Sequence, residues 1–411
     1  MALASKNADE TVADVLIVGG GMAGLILATA LGNAGVDVVV VEPNLPKSLL
    51  DTDFDGRTTA IAAGSRLALN SIGAWAEMQK DAQSILDIRV TDGHSPLFLH
   101  YNHEDVAEGP LGHIVENRVI RSVLLDCLGN LPSVALLFGR RVKSLDRDGS
   151  FAEAHLDTGE TVKARLAVAT DGRGSPTRQN ANIGVNQWRY PQTGIVCTVE
   201  HEFDHCGVAQ EHFLPSGPFA ILPMTERRSS IVWTEREDLA PAILNLPDKE
   251  FAEELSLRFG DYLGELEIIR PIFSYPLGLL HADSYIAPRL ALAGDAAHAI
   301  HPIAGQGLNI GVRDAAALAE IIVDAMRLGL DPGSVNILEN YERWRRFDNT
   351  MMIAATDGLN RLFSNNVGPI KVARDVGLAM VNRTPPLKRL FMRHAMGVLG
   401  DRPRLMRGEL I

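Results

Sequence analysis

Cysteine is scarce in this chain, with three in 411 residues. Cys127, Cys197 and Cys206 are odd in number and lack the paired spacing of a metal module. That excludes a disulfide framework and a zinc ribbon, and leaves free thiols in a reducing compartment. Basic residues are also few, 39 against 51 acidic, and the net charge of −12 excludes a general nucleic-acid binder, which needs a basic footprint. Long apolar runs are missing. The one charge-free stretch, Val15–Leu31, has four glycines at positions 19–24, whereas a membrane span needs about 20 predominantly apolar residues. It reads as a buried strand, turn and helix. Met1–Asp14 is polar and has no signal-peptide layout, so a cytoplasmic protein is expected. No Ser-His-Asp arrangement, metal-ligand cluster or internal repeat is evident.

What the chain does have is apolar content, 46%, and length enough for two or three lobes. The pattern predicts a strand at Asp14–Val18, a helix at Met22–Asn33 and a strand at Val36–Val41, the opening of a βαβ unit. Thr58–Ala76 reads as helical, with Gly64–Ser65 as an interruption. Arg118–Leu128 reads as an amphipathic helix with Val119, Leu124, Leu125 and Leu128 as its stripe. Strands are expected at Val134–Phe138, Arg141–Leu145, Ala152–Leu156 and Leu166–Ala169. From Trp188 to Trp233 and from Leu266 to Leu277 the pattern becomes strand-rich, interrupted by a helix at Glu250–Arg258. A helix is expected from Leu308 to Arg327, and a helical remainder from Asn336 has breaks at Gly368-Pro369 and Pro385-Pro386. Charge is uneven. Arg343 to Ile411 carries 13 Lys and Arg against 5 Asp and Glu, a net of +8, which leaves −20 for the preceding residues.

Two separated strings carry the chemistry. Gly19, Gly21 and Gly24 sit between a strand and a helix, the context a dinucleotide fingerprint requires. Gly19 permits the turn, Gly21 lets backbone approach a pyrophosphate, and Gly24 lets helix and strand pack closely. Met22 and Ala23 open the helix, whose amino terminus offers N–H groups to phosphates. Glu42 ends the second strand, where an acid can accept ribose hydroxyls and disfavours a 2′-phosphate. The second string runs from Leu290 to Asn309. A strand enters Gly294–Asp295, and Gly305, Gln306 and Gly307 then open a helix at Leu308. Asp295 suits sugar-like hydroxyls, the helix terminus suits the pyrimidine edge of a flavin, and Asn309 could add a side-chain hydrogen bond there. Asp171-Gly172 is either a plain turn or part of the same grip.

These residues resemble the flavoprotein aromatic hydroxylases of the para-hydroxybenzoate hydroxylase type, and within them the hydroxylases of ubiquinone biosynthesis. The resemblance covers most of the chain: Gly19–Gly24 with Glu42, Phe54-Asp-Gly-Arg-Thr-Thr-Ala-Ile-Ala-Ala-Gly64, Val115-Glu-Asn-Arg-Val119, Asp171–Arg178, Gly217–Pro223, Arg289–His298 and His301–Asn309. It implies an α/β fold: a Rossmann-like FAD-binding domain (1–180 and 281–335), an inserted antiparallel-sheet substrate domain (181–280) and a helical C-terminal region (336–411). It also implies that Arg57 and Arg121 lie near the phosphates and ribityl chain. Val142 is expected beside the adenine, Asp171 and Gly172 at FAD, Asp295 at the ribityl hydroxyls, and Pro302 with Gly305–Asn309 beside the ring.

The implied reaction is hydroxylation of a polyprenylated phenol through a flavin C4a-hydroperoxide. It needs FAD, O2 and NAD(P)H or another electron donor, and it names no catalytic side chain. A dry wall is required, and Phe219–Met224 with the Pro302 loop are the candidates. His298 and His301 are either scaffold or acid–base groups. The helix Leu387–Leu399, with Lys388, Arg389 and Arg393, reads either as an interfacial contact with an anionic membrane or as packing of Leu390, Phe391 and Met396 onto the body. Docking in a biosynthetic complex is a further expectation. A reductase or dehydrogenase without oxygen insertion, and a non-catalytic flavoprotein scaffold, are the alternatives. The purified chain should take up a yellow chromophore on reconstitution with FAD, read as visible absorbance after gel filtration; a colourless protein overturns the cofactor assignment.

Overall fold

Val15–Val18, Val38–Val41 and Leu166–Ala169 are runs of aliphatic residues buried without alternation, the pattern of parallel strands covered on both faces. The computed structural model describes residues 10–51, 57–93, 95, 98–106, 109–365, 374, 377, 378 and 380–411. In it, strands Leu290–Leu292, Thr161–Ala169, Glu10–Val18, Val38–Glu42 and Val134–Phe138 lie side by side in that order, all parallel. Val142–Asp146 and Ala152–Leu156 extend Thr161–Ala169 as an antiparallel flap. Helix α1 (Met22–Asn33) packs on this sheet between α2 (Asn117–Gly129) and α3 (Gly307–Arg327).

A second sheet has eight strands. Its order is His298–Ala299, Leu266–Ala282, Val185–His201, Arg228–Arg236, Gly217–Met224, Val208–Leu214, Asp87–Asp92 and Phe98–Asn102. The outer face carries Ile195, Cys197, Phe219, Ile221, Ile231 and Trp233, which pack on Phe251, Leu255 and Phe259 of the helix Asp248–Phe259. Alternate residues point to the inner face. Helix α4 (Val335–Phe363) packs there, together with a small third sheet of Thr58–Ala62, Gly112–Glu116 and Gln83–Ile85. Helix α5 (Pro385–Ala395) docks on that side through Met392, which joins Met396, Met224, Ile85 and Leu111.

Several expectations change. Thr58–Ala62 is a strand, not the start of a helix, because its β-branched residues pair with Gly112–Glu116. The helix begins at Ala63 and ends at Ser71. Gly64 does not interrupt it; a Cβ there would stand 2.5 Å from the Gly397 carbonyl oxygen, so the glycine admits the C-terminal segment. In α2 the buried stripe is Ile120, Arg121, Leu124 and Leu128, with Val119 and Leu125 half-buried beside it. Phe219–Met224 cannot wall the inner side along its whole length, since Phe219 and Ile221 face outward. In α5, Met392 is buried while Leu390 (53%) and Phe391 (46%) are exposed, and Lys388 (15%) pairs with Asp105 at 2.7 Å. Phe54–Gly56 and Gly368-Pro369 lie outside the described residues. Among the described residues no helix is long and apolar enough to cross a membrane. Gly64→Val should lower stability by about 1–3 kcal/mol through overpacking, seen as a lower urea midpoint; an unchanged midpoint contradicts close docking of the C-terminal segment.

Candidate functional site

At the end of the first strand the chain turns at Gly19 (φ +105°), where a Cβ would meet the Thr170 carbonyl oxygen at 2.6 Å. Gly24 is equally constrained: its Cβ would stand 2.2 Å from Gly19 O and 2.6 Å from Thr170 Oγ1. Thr170 Oγ1 donates to Gly19 O at 2.7 Å and pins the neighbouring strand beneath the turn. Gly21 is different. It is exposed and a Cβ there would have no neighbour within 4 Å, so space for an approaching group, not packing, characterises it. Helix α1 starts at Met22 and Ala23 with no side-chain cap. Its first N–H groups therefore have no partner within the helix, and together with the helix dipole they form an anion site.

Glu42 is buried. Its Oε2 accepts from Gly20 N at 2.7 Å, and its Oε1 accepts from Asn44 N at 2.9 Å and Asn44 Nδ2 at 2.8 Å. Three of about four lone-pair sites are thus filled, and a ribose would replace the exposed Asn44 amide. Arg140 N donates to Glu42 O at 3.3 Å, which brings half-buried Val142 to the same end of the sheet. Arg57 is exposed, with its guanidinium 4.8 Å from the Tyr275 ring centroid. Its carbonyl accepts from Asn117 N at 3.0 Å, tying it to α2, where Arg121 is buried one turn later.

The second string joins the two large sheets. Leu290–Leu292 belongs to the first and His298–Ala299 to the second. Gly294 (φ +60°) lies between them, and a Cβ on it would touch Ala23 at 3.1 Å, so the two fingerprints abut. Asp295 is exposed by area yet surrounded by protein, the condition of a group on the floor of a cleft. Burial raises its carboxyl above the usual range, while His298, Arg57 and Arg173 act in the other direction. Pro302 and Gly307 are exposed, and Gly305, Gln306 and Leu308 are half-buried. Helix α3 starts without a side-chain cap. Asn309 does not offer its side-chain donors to a ligand. Its Nδ2 donates to Ala60 O at 2.8 Å and Gly305 O at 3.1 Å, and its Oδ1 accepts from Ala62 N at 2.9 Å. It staples the third sheet to the helix start, and main-chain N–H groups are what face outward.

Asp171 holds its own turn with two of its acceptor sites. Its Oδ1 accepts from Ser175 Oγ at 2.5 Å and its Oδ2 from Thr177 N at 3.0 Å. Gly172 takes φ +83° in that turn. Arg178, buried, then donates to Ala296 O at 2.8 Å and Arg173 O at 3.0 Å, bracing the Asp295 loop from below.

Sequence reading missed the strongest element. Asp314, fully buried in α3, accepts from Gly294 N at 3.1 Å, Arg345 Nε at 2.9 Å and Asn349 Nδ2 at 3.1 Å, and lies 2.5 Å from His298 Nε2. Burial alone would raise its carboxyl; His298, Arg345 and Asn349 reverse that and bring it to about 2. An acid followed directly by the apolar run Ala315–Ala319 was the available signal. An open Asp295 between two uncapped helix starts fits an elongated ligand with a pyrophosphate and a polyhydroxyl chain, the form of FAD. Among the described residues no group of His, Cys, Asp and Glu is arranged to hold a metal.

The comparisons agree with this geometry. Residues 12–354 match the family model described as FAD binding domain. The chain is 54% identical to ubiquinone hydroxylase UbiL of Rhodospirillum rubrum, over 97% of this chain and 94% of that protein. It is 33% identical to 3-demethoxyubiquinol 3-hydroxylase of Escherichia coli, over 94% and 98%. In fold it is similar to p-nitrophenol 4-monooxygenase PnpA from Pseudomonas putida, with a TM-score of 0.80 at 22% identity, covering 96% of this chain and 100% of that one.

Burial also holds His113 and His301 neutral, each lowered to about 4. In both pH windows the unfolded chain binds more protons, so stability rises with pH. The histidine contribution is complete above about pH 6.5 and lost as pH falls towards about 4. That of Asp314 is complete above 3.8 and lost towards about 2. Asp314→Ala should cost about 3–5 kcal/mol at neutral pH by taking the buried partner from Arg345 Nε and His298 and flatten the lower window in urea melts; an unaltered acid profile counts against the network.

Proposed function

The chain belongs to the FAD binding domain family and is an FAD-dependent aromatic hydroxylase related to the hydroxylases of ubiquinone biosynthesis, and from that premise we propose that it hydroxylates the ring of a polyprenylated phenol. The observation that carries the reading is Asp295, open on the floor of a cleft between two uncapped helix starts. Bound FAD, with O2 and with NAD(P)H or another electron donor, supplies the oxygen-transfer chemistry.

The chain's own residues bind, orient and exclude water. Main-chain N–H groups from Gly21 to Gly24 take the pyrophosphate, and Glu42 takes the adenosine ribose. Val142 borders the adenine. Arg57 and Arg121 add positive charge along the phosphates and ribityl chain, and Asp295 accepts its hydroxyls. The main-chain N–H groups at Gly307–Asn309 face the pyrimidine edge, and Pro302 with Gly305 and Gln306 flank the ring. Asp171 and Gly172 act indirectly, by shaping the turn from which Arg178 braces Asp295. On the inner face of the second sheet Ala220, Leu277 and Leu279 are buried and exclude water from the reacting ring.

A lipid-tailed substrate favours a protein that meets the membrane surface. Exposed Leu390 and Phe391 lie beside Arg389 on α5, and Phe347 (70%), Met351 (55%), Leu359 and Leu362 recur along the exposed face of α4. Apolar side chains rimmed by cations are the composition of an interfacial contact.

Asp295→Ala should weaken FAD binding by about 10- to 100-fold, the range for losing a charged hydrogen bond, measured by flavin titration; undiminished affinity removes Asp295 from the site. Product formed under labelled O2 should carry one labelled oxygen on the ring, and unlabelled product favours the dehydrogenase reading. Arg389→Glu with Phe391→Ser should reduce sedimentation with phosphatidylglycerol vesicles, and equal sedimentation overturns the membrane contact.

A further inference from the structure

Most buried polar side chains here are paired. On the inner side of the second sheet three are not, among the described residues: Ser230 Oγ, Thr234 Oγ1 and both ring nitrogens of His301. His301 is wholly buried. Its ring meets Tyr190 edge-on at 5.2 Å, and Tyr190 packs with Leu277, Leu279 and Ile353, so the imidazole stands against an apolar wall between sheet and α4. The Tyr190 hydroxyl is turned to Asp357 Oδ1, to which it donates at 2.7 Å, and makes no hydrogen bond to the imidazole. Burial keeps the imidazole neutral at physiological pH, so it holds one unused donor and one unused acceptor.

A buried imidazole unsatisfied at both nitrogens destabilises the fold unless something fills it. His298, three residues earlier, shows the contrast, since its Nε2 is held by Asp314. The position of His301 indicates what fills it. Its neighbour Pro302 is exposed at the cleft, and the turn Ile303–Gly305 leads directly to the start of α3. His301 thus lies where the loop beside the flavin ring meets the dry sheet face. An aromatic ring brought to the flavin would rest there, and a ring hydroxyl is the only polar atom a phenol brings.

We propose that His301 hydrogen-bonds the phenol oxygen of the substrate and selects hydroxylated rings over their ethers. The proposal rests on the phenol hydroxylase reading and adds to it a named contact. A hydroxyl can donate to the bare nitrogen of the neutral imidazole or accept from its N–H, whereas a methyl ether can only accept and adds bulk. A merely structural histidine would treat the two ligands alike.

The test uses the FAD-loaded enzyme, with 2-prenylphenol and 2-prenylanisole as probes and perturbation of the flavin absorption spectrum as the binding signal. Wild type should prefer the phenol by about tenfold, the order of one net hydrogen bond. His301→Leu should abolish that preference by weakening the phenol more than the ether, and should not lower the melting temperature, because an unsatisfied polar group is removed. His301→Gln, which keeps a donor and an acceptor, should recover part of the preference. If His301→Leu does not retain FAD, the same comparison is made with His301→Phe. A preference that survives these substitutions, equal losses for both probes, or no preference in wild type overturns the assignment. Failure of the underlying reading is seen separately, as wild-type enzyme that binds flavin but inserts no labelled oxygen.

Discussion

One buried carboxylate organises the cofactor end of this protein. Asp314 has no access to solvent, yet it meets the Gly294 amide, the His298 imidazole, and a guanidinium and a carboxamide that α4 supplies from Arg345 and Asn349. In a medium of low polarity such a charge persists only when its partners are in place. The turn at Gly294, the strand His298–Ala299 and the middle of α4 are therefore positioned together. Asp295, one residue beyond the amide that Asp314 holds, inherits its place on the cleft floor from that arrangement.

The same short string joins the two large sheets. Within twenty residues the chain contributes a strand to the first sheet, a strand to the second, and the start of α3. Glycine at 294 and 305 is favoured by left-handed backbone, and Ala23 and Ala60 leave only a tight fit for a side chain. The cleft is thus a consequence of how the sheets are joined. That places an apolar sheet face, suited to an aromatic ring, beside two helix starts suited to a phosphate-bearing cofactor.

Parts of this were legible in the residues. Unalternating aliphatic runs marked the parallel strands, and α1 spans Met22–Asn33 as its pattern indicated. Gly24 packs against Thr170 while Gly21 stays open, as their spacing suggested. Other parts were not legible. Thr58–Ala62 has small and β-branched residues that suit either element, and pairing with Gly112–Glu116 decided between them. Asn309 had the composition of a ligand-binding amide, but three main-chain partners claimed it. Lys388 looked free until Asp105, far away in sequence, lay beside it.

The sequence by itself determined the local chemistry: where backbone turns tightly, which helix starts lack caps, which strands are buried on both faces, and that a flavin dinucleotide suits the two fingerprints. These follow from residue type and short-range periodicity, which act over a few positions. Tertiary structure alone decided which polar groups are already spent and which remain available. Asn309 and Lys388 found partners within the protein, Asp314 and Arg345 became the buried anchor, and His301 was left unpaired. Hydrogen-bond satisfaction depends on partners that folding brings from distant segments, so no local pattern encodes it.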